Sequence, residues 1–466
     1  MILRNGKIYS AGLTRKGDIL ITNGVITKLT FKPNENDFNE LLRINQEDDI
    51  IDCENRIILP GIIDIHSHLR DMGQSEKETF FTGTLAAAVS GITTVFNMPN
   101  TNPPAITEDQ VKKWMNKAQN NININVGFIA GVPTGINEIE IKKVIDLGVI
   151  GFKIYPLSPL SKINWMKSTN IQKILKISSK YHVPIFIHAG FPLKDKEKDT
   201  IVNDFKINKF TNLEFHDRLN PVSKEEKYIE FIIQNYEDYL SDKKVSLKNY
   251  PIIHFCHVSC KEAYLIIQNA LALDNSLKIS YEVTPHHLLL SKDLSLDKET
   301  YGKVLPPLRS KEQSEFLFNK LKEGEILLIG TDHAPHTLEE KSRDFIDAPS
   351  GFPGFETYTR MLIDQIFKYR LSLENFVKVS SENPAIVFNL ANKGFIKEGY
   401  DADLMIIDKV PEYSINAANF KSKAKLSPFE NFTSTVHIWK VFLKGREITF
   451  EKNIPKGKII KTSYKV

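Results

Sequence analysis

The chain has 466 residues, 41% hydrophobic and 25% charged, which is typical of soluble globular proteins. Its 61 basic and 57 acidic residues leave a net charge of +4, which gives no reason to expect nucleic acid or an anionic membrane as a partner. It has neither a signal-peptide core nor an apolar stretch of about 18 residues, and its three cysteines cannot form a disulfide framework, so we expect a cytoplasmic protein.

Both ends of the chain have the pattern of short strands joined by turns. Near the N-terminus, an Asn23-Gly24 dipeptide between apolar runs predicts a β-hairpin, whereas the polar residues 31–50 predict a loop. The predicted strands of the two ends cover residues 2–9, 17–21, 25–29, 403–408 and 435–443. We expect residues 1–57 and 396–466 to pair into one small β-sandwich domain.

The middle of the chain, residues 58–395, alternates apolar runs with amphipathic helical segments. The runs cover residues 57–68, 93–98, 125–132, 151–156, 184–189, 252–258, 278–283 and 326–332. Eight such strand–helix units predict a (β/α)8 TIM barrel, an α/β fold. The alternative, a doubly wound open sheet, lacks the Gly-x-Gly-x-x-Gly turn expected of it. The long, charged and partly helical segment 191–250 predicts an elaborated loop over one end of the barrel.

Polar residues suited to chemistry follow the ends of the predicted strands. In the first strand, His66 and His68 are two residues apart and therefore share one face. Imidazole is a common ligand for zinc-like ions. Similar residues follow the other strands, namely Asn97 to Thr101, Lys153, His188, His257, His286, His287, Asp332, His333 and His336. Because strand ends converge on one mouth of a barrel, we expect a metal site there.

Lys153 lies within an apolar run, where a free ammonium is expensive to desolvate and cannot bind a metal. Reaction of its neutral amine with carbon dioxide would give a carbamate, an anionic group whose two oxygens can bridge two metal ions. The alternatives are an ion pair with Asp332 or direct binding of substrate.

These residues, in this order, resemble the amidohydrolase superfamily of metal-dependent hydrolases. Within it, the chain is similar to the dihydroorotase family, of the type related to hydantoinases and allantoinases. The motifs are His66-Ser67-His68-Leu69-Arg70, Asn97-Met98-Pro99-Asn100-Thr101, Gly330-Thr331-Asp332-His333-Ala334-Pro335-His336 and Ala348-Pro349-Ser350-Gly351-Phe352-Pro353-Gly354. The chain departs from many relatives at Leu305, where they have Asn, and at Asp71-Met72, where they have Glu-Pro.

The resemblance implies a binuclear site of two divalent ions, with zinc as the default. The implied ligands are His66, His68 and Asp332 on one ion, His188 and His257 on the second, and carboxylated Lys153 as the bridge. The implied substrate contacts are Arg70, Asn100, His336 and the backbone of Ser350 and Gly351. For His286 and His287 two roles are open, structural support of the mouth, which we favour, and direct contact with the substrate.

The implied reaction is the reversible cyclisation of N-carbamoyl-L-aspartate to L-dihydroorotate in pyrimidine biosynthesis. In the hydrolytic direction a hydroxide shared by the two metal ions would attack, with Asp332 as acid and base. A hydantoinase- or allantoinase-type hydrolase and a non-catalytic scaffold remain as alternatives. The resemblance also leaves open a homodimer and an association with aspartate transcarbamoylase.

Overall fold

The computed structural model describes residues 1–33, 35–44, 49–208, 210–243, 245–449 and 457–462. Its strands are β1 Ile2–Ser10, β2 Leu13–Thr22, β3 Val25–Phe31, β4 Ile50–Asp52, β5 Ile57–Pro60, β6 Ile62–Ser67, β7 Ile92–Asn97, β8 Asn125–Gly131, β9 Gly151–Ile154, β10 Ile185–Ile187, β11 Ile253–Phe255, β12 Ile279–Val283, β13 Leu328–Ile329, β14 Leu404–Ser414, β15 Thr433–Leu443, β16 Arg446–Glu447 and β17 Ile459–Ile460. Its α-helices are α1 Glu35–Ile44, α2 Phe80–Ala88, α3 Glu108–Ala118, α4 Glu138–Asp146, α5 Ser168–Tyr181, α6 Asp195–Asn208, α7 Asn212–Leu219, α8 Val222–Lys243, α9 Lys261–Leu273, α10 Pro285–Leu289, α11 Lys311–Glu323, α12 Leu338–Lys341, α13 Phe355–Phe367, α14 Leu373–Val377 and α15 Asn383–Val387. Within these described ranges, none of the helices combines the length and the apolarity needed to cross a bilayer.

Strands β6 to β13 form a parallel sheet in which the strands follow one another in sequence order. A parallel bridge between Ser67 and His333 joins the first strand to the segment after the last, which brings the two edges of the sheet together. Helices lie between successive strands, and every residue of these eight strands is buried, as expected for parallel strands covered by helices. The predicted TIM barrel is confirmed.

The barrel interior is a packed core, and a residue from outside the barrel strands completes it. Phe388, which follows α15, lies edge-on to Phe96 with ring centroids 5.1 Å apart and stacks on Phe186 at 5.5 Å. The side chain of Asn383 donates a hydrogen bond to the carbonyl of Leu327, just before β13 begins. This bond places the segment at the N-terminal ends of the strands, so the opposite, C-terminal end is left for the site.

The two ends of the chain form a second sheet, in the order β16-β15-β14-β5-β1-β2-β3 with β4 beside β1. Asn23 and Gly24 have φ angles of 53° and 80°, as a type I′ turn requires, so the predicted hairpin is confirmed. A bridge between Val25 and Asp401 brings the β3 edge back toward β14, and the sheet encloses its own apolar core. The small β domain expected from both ends is therefore present.

The apolar run 57–68, predicted as a single strand, serves both sheets. Residues of β5 pair with β1 and β14 in the second sheet, whereas β6, after Gly61, begins the barrel. The domain limits predicted at residues 57 and 396 stay a prediction.

A helix replaces part of the loop predicted over residues 31–50. Helix α1 packs Leu41 and Phe38 against Ile2 and Leu20, and the Arg4 guanidinium lies 3.8 Å from the centre of the Phe38 ring. The loop prediction was wrong because it rested on the many polar residues and overlooked Phe38, Leu41 and Leu42, which recur at helical spacing.

The long segment 191–250 contains three helices, α6, α7 and α8. Helix α8 packs against α5 and α9 and therefore occupies the place of a barrel helix, while α6 and α7 are additional. The buried Arg309, in the loop before α11, binds Asp217 of α7 at 2.7 Å and Glu225 of α8 at 2.9 Å. The insertion is thus attached to the loops of the barrel mouth.

Candidate active site

Three predicted metal ligands from the first and last barrel strands come together at the mouth. Nε2 of His68 lies 3.1 Å from Oδ1 of Asp332, and Nε2 of His66 lies 3.5 Å from the same oxygen. The ligand atoms of the three residues all lie within 4.8 Å of one another, and all three side chains are buried. Two imidazoles and a carboxylate at this spacing suit one divalent ion.

The other two predicted histidines meet beside this group. Nδ1 of His188 lies 2.9 Å from Nε2 of His257, and the ring centroids of His257 and His66 are 5.2 Å apart. Nδ1 of His257 is buried and has no hydrogen-bond partner among the described residues. The two predicted ligand groups therefore adjoin, as a pair of neighbouring ions requires.

Lys153 of β9 points its amine into the same region. Its side chain is 2% exposed, and within the described part of the chain its Nζ has neither a hydrogen-bond partner nor a carboxylate at ion-pair distance. Burial, and secondly the charge on Lys153, lower the pKa of His188 to about 3. Burying an ammonium without a counter-ion is unfavourable, and the carbamate predicted for Lys153 stays a prediction.

Most of the predicted imidazole ligands are held neutral, which is the form that binds a metal. Burial lowers the pKa of His68 to about 4 and that of His257 well below its ordinary value. His66 differs from the other three. Burial acts to lower its pKa, but the nearby charges, first among them the adjoining Glu282 carboxylate, outweigh burial and raise the pKa to about 10.

Glu282 of β12 is a site residue that the sequence analysis missed. Its carboxylate contacts Nδ1 of His66, and it accepts hydrogen bonds from Nε2 of His254 at 3.2 Å and from the backbone N–H of His257 at 3.2 Å. It thereby orients His66 so that Nε2 faces Asp332. Glu282 is the only charged residue in its apolar strand, and this signal could have identified it.

Close packing around the Glu282 carboxylate requires a glycine at position 330, directly after β13. A Cβ on Gly330 would lie 2.6 Å from Oε2 of Glu282 and 2.9 Å from Cβ of His66. Any larger residue would displace the pair that orients the metal ligand.

Three site residues adopt the left-handed backbone conformation, with φ angles of 57° at Arg70, 39° at His257 and 49° at Asp332. For a residue other than glycine this conformation costs about 1–2 kcal/mol and persists only where the surroundings fix it. One such restraint is Asp64 of β6, which accepts hydrogen bonds from the N–H of Thr331 at 2.8 Å and from its hydroxyl at 2.6 Å. The segment leading to Asp332 is therefore tied to the first strand.

Arg70 and His336, both predicted to bind substrate, are neighbours. Nη2 of Arg70 lies 3.3 Å from Nε2 of His336, which in turn lies 3.1 Å from the carbonyl oxygen of Ser350. Arg70 is only 7% exposed, and none of the described carboxylates lies at ion-pair distance from its guanidinium. A buried cation of this kind suits a bound carboxylate.

Asn100 contacts a predicted metal ligand in the structure. Its Oδ1 lies 2.5 Å from Nδ1 of His68 and accepts a hydrogen bond from it, so that Nε2 of His68 is directed to Asp332. The substrate contact predicted for Asn100 stays a prediction.

Two other histidines support the segment 304–307, which contains the unusual Leu305. Nε2 of His287 lies 3.2 Å from the carbonyl of Pro306, in agreement with the structural role expected for it. Nε2 of His216, for which the sequence indicated no role, donates to the carbonyl of Val304 at 2.7 Å. Both histidines fix the path of a loop at the mouth.

Comparisons with known proteins agree with this architecture. The model of the Amidohydrolase family matches residues 57–448. The chain is 33% identical over 436 residues to a dihydroorotase of Methanosphaera stadtmanae, covering 92% of each chain, and 33% identical over 435 residues to a dihydroorotase of Methanosarcina acetivorans, covering 92% of this chain and 87% of that one. Among solved structures, the L-hydantoinase (dihydropyrimidinase) from Arthrobacter aurescens matches with a TM-score of 0.83 and 25% identity, covering 99% of this chain and 97% of that chain.

Proposed function

Because the chain belongs to the amidohydrolase family, we propose that it is a dihydroorotase, which interconverts N-carbamoyl-L-aspartate and L-dihydroorotate. Its family makes it a metal-dependent hydrolase of cyclic amides. The observation that supports this particular substrate is the buried Arg70 guanidinium beside the predicted metal ligands, since the substrate is a cyclic amide that carries a carboxylate.

The donor set at the mouth fits two divalent ions, with zinc as the default for a histidine-rich hydrolase site. The residues that would hold them are His66, His68, His188, His257 and Asp332. When bound, the ions would supply Lewis acidity at the ring carbonyl and lower the pKa of water toward neutrality.

The Lys153 amine, which has no hydrogen-bond partner among the described residues and lies 5.2 Å from the centre of the Tyr155 ring, supports a carbamate that would help to hold the two ions. We expect metal-loaded protein prepared with ¹³C-bicarbonate to show a carbamate carbon by NMR, and Lys153→Ala protein not to show it. Wild-type protein that binds two ions without this signal would contradict the bridge.

Asp332 has the position needed to move the proton in both directions. During hydrolysis its carboxylate would accept a proton from the attacking water and deliver it to the ring nitrogen as the carbon–nitrogen bond breaks. During cyclisation it would accept the proton of the carbamoyl nitrogen as that nitrogen attacks the side-chain carboxyl carbon, and would return this proton to the departing oxygen. With a second proton, taken up from solvent by the ionised side-chain carboxylate, that oxygen leaves as water.

The substrate would be oriented by groups beside the predicted metal ligands. Arg70 would bind the ring carboxylate through two parallel hydrogen bonds, with His336 beside it. Asn100, next to His68, and the backbone of Ser350 and Gly351 would contact the ring.

A panel of cyclic substrates tests this proposal. L-Dihydroorotate and dihydrouracil share a ring and differ in the carboxylate, so we expect kcat/KM of the metal-loaded enzyme to favour dihydroorotate by at least about 100-fold. The Asp332→Asn variant should fold but lose turnover. Faster hydrolysis of dihydrouracil or hydantoin would overturn the proposal and favour the second candidate, a hydantoinase-type activity, which the structural similarity to L-hydantoinase supports.

The remaining alternatives have equally direct tests. Protein that retains almost no metal and turns over no substrate would favour the scaffold alternative. The homodimer and the association with aspartate transcarbamoylase stay predictions, and light scattering of the protein alone and mixed with the transcarbamoylase tests both.

A further inference from the structure

We propose that Lys303 and Lys341 are positioning residues that hold residues 345–351, here called the substrate loop, at the distance from Arg70 and His336 that the substrate requires. This inference rests on the proposed function, because it assigns the substrate loop a role in binding the ring. Neither lysine belongs to the metal group.

Lys341, the last residue of α12, is fully buried and directs its ammonium at main-chain oxygens. Its Nζ donates to the carbonyls of Pro349 at 3.0 Å, Gly351 at 2.9 Å and Lys303 at 3.3 Å. An ammonium has three donors, and all three are used. Lys341 therefore fixes the end of the substrate loop that carries Ser350 and Gly351.

Lys303, which is 7% exposed, repeats this arrangement at the other end of the loop. Its Nζ donates to the carbonyls of Phe345 at 2.6 Å, Ile346 at 3.0 Å and Ala348 at 2.6 Å. Its own carbonyl accepts the N–H of Gly351 at 2.9 Å, so the two lysines and the loop form one connected network.

The chemistry of the contacts indicates positioning of the backbone. Among the described residues, neither ammonium has a carboxylate at ion-pair distance. Burial lowers the pKa of both lysines, that of Lys341 to about 7, so the carbonyl dipoles offset only part of the cost of burying each charge. Six hydrogen bonds to carbonyls, five of them in the substrate loop, fix the path of the chain and are independent of the loop's side chains.

Away from the two lysines, the substrate loop lies next to His336 and Arg70, which we expect to bind the substrate carboxylate. The position of the loop therefore bears on substrate binding. The carbonyl of Ser350 lies 3.1 Å from Nε2 of His336, the neighbour of Arg70. Gly351 has a φ of 124°, and a Cβ there would lie 2.6 Å from the carbonyl oxygen of Ala334. The loop thus packs closely against the segment after β13 that carries His336. Removing the hydrogen bonds of the lysines would change the distance between the loop and Arg70.

The test compares Lys341→Met and Lys303→Met with the wild-type metal-loaded enzyme. Methionine keeps the length and apolar stem but removes the donors, so we expect KM for L-dihydroorotate to rise about 10- to 100-fold, with a smaller fall in kcat. Bound metal per chain and the thermal midpoint are measured on the same samples. Lys298→Met is the matched control, because Lys298 is exposed and its amine donates to the Ser342 hydroxyl at 3.2 Å and lies 5.8 Å from the centre of the Tyr301 ring, both outside the loop.

Each outcome decides between the alternatives. A merely structural role would lower the fraction of active, metal-loaded enzyme and hence kcat, with KM unchanged, and would overturn the inference. An unchanged KM in both variants, or loss of the fold in both, would overturn it too. If wild-type enzyme fails to turn over dihydroorotate, the proposed function falls and this inference with it, whereas active wild type with normal lysine variants removes this inference alone.

Discussion

At the scale of the residue, the mouth of the barrel is distinguished by buried charged groups that lack the usual opposite charge. Arg70 has a histidine and a carbonyl as neighbours, and Lys153 has no hydrogen-bond partner in the described chain. Burying such groups is unfavourable unless something else compensates them. A bound anion at Arg70 and a carbamate at Lys153 would each provide that compensation. The two buried groups without an opposite charge therefore favour a site that binds an anionic substrate and metal ions.

The Arg70→Met variant isolates the predicted carboxylate contact. Removing one partner of a buried, hydrogen-bonded charge pair costs about 2–5 kcal/mol, so we expect kcat/KM for dihydroorotate to fall about 30- to 5,000-fold. Slow turnover of dihydrouracil, which lacks the carboxylate, should not change. Arg343→Met, on the exposed surface of the same region, serves as the control. An equal loss with both substrates would remove Arg70 from carboxylate recognition.

At the scale of the element, a buried guanidinium is one of several side chains that attach the long insertion to the barrel mouth. Arg309 is 3% exposed and donates to Asp217, to the carbonyl of Asn220, to Glu225 and to the hydroxyl of Ser259. These partners lie in α7, at its end, in α8 and after β11. A single guanidinium therefore joins the insertion to two barrel loops.

Replacing this guanidinium should be strongly destabilising. Arg309→Met leaves the buried carboxylate of Glu225 without a cation, whereas Asp217 keeps Lys292 at 2.8 Å, and we expect the free energy of unfolding to fall by about 3–5 kcal/mol. Denaturant titration followed by circular dichroism measures the change. Lys311→Met, two residues away and exposed, should change it by less than about 0.5 kcal/mol. A loss below about 1 kcal/mol in Arg309→Met would show that apolar packing and the contacts of Lys292 and His216 hold the insertion without Arg309.

At the scale of the whole molecule, the two sheets are joined by one continuous apolar run of the chain. Strand β5 lies in the sheet of the chain ends and β6 in the barrel, with Gly61 between them. The chain returns after the barrel through α15 and Phe388, which packs into the barrel interior before β14 enters the second sheet. The end of the barrel opposite the site is thereby filled by apolar side chains.

Truncating this side chain tests the role of the core. Phe388→Ala should lower the free energy of unfolding by about 3–5 kcal/mol, because burial is lost and a cavity is left. Since Phe388 lies away from the mouth, kcat and KM of the folded variant should stay close to wild type. Tyr369→Ala is the control, because Tyr369 is 96% exposed. A change as small as that of the control would mean that the neighbouring rings close the gap.

The sequence by itself determined the features that depend on local pattern. Alternating apolar runs and helical segments predicted the barrel, and the Asn23-Gly24 pair predicted a hairpin that the structure contains. The sequence predicted His66 and His68 as ligands of one site because side chains two residues apart on a strand share a face. Such patterns need only neighbouring residues, so they are visible before any tertiary structure is known.

Only the tertiary structure decided which distant residues touch. Glu282 reaches His66 from a strand 216 residues away, and the lysines of the substrate loop network meet backbone carbonyls, which leave no mark in the sequence. Helix α1 has apolar residues at helical spacing, but its contacts with the first strands were visible only in the folded chain. For Glu282 and the metal ligands, the physical reason is that closing the barrel sets these distances, and closure is a property of the whole sheet.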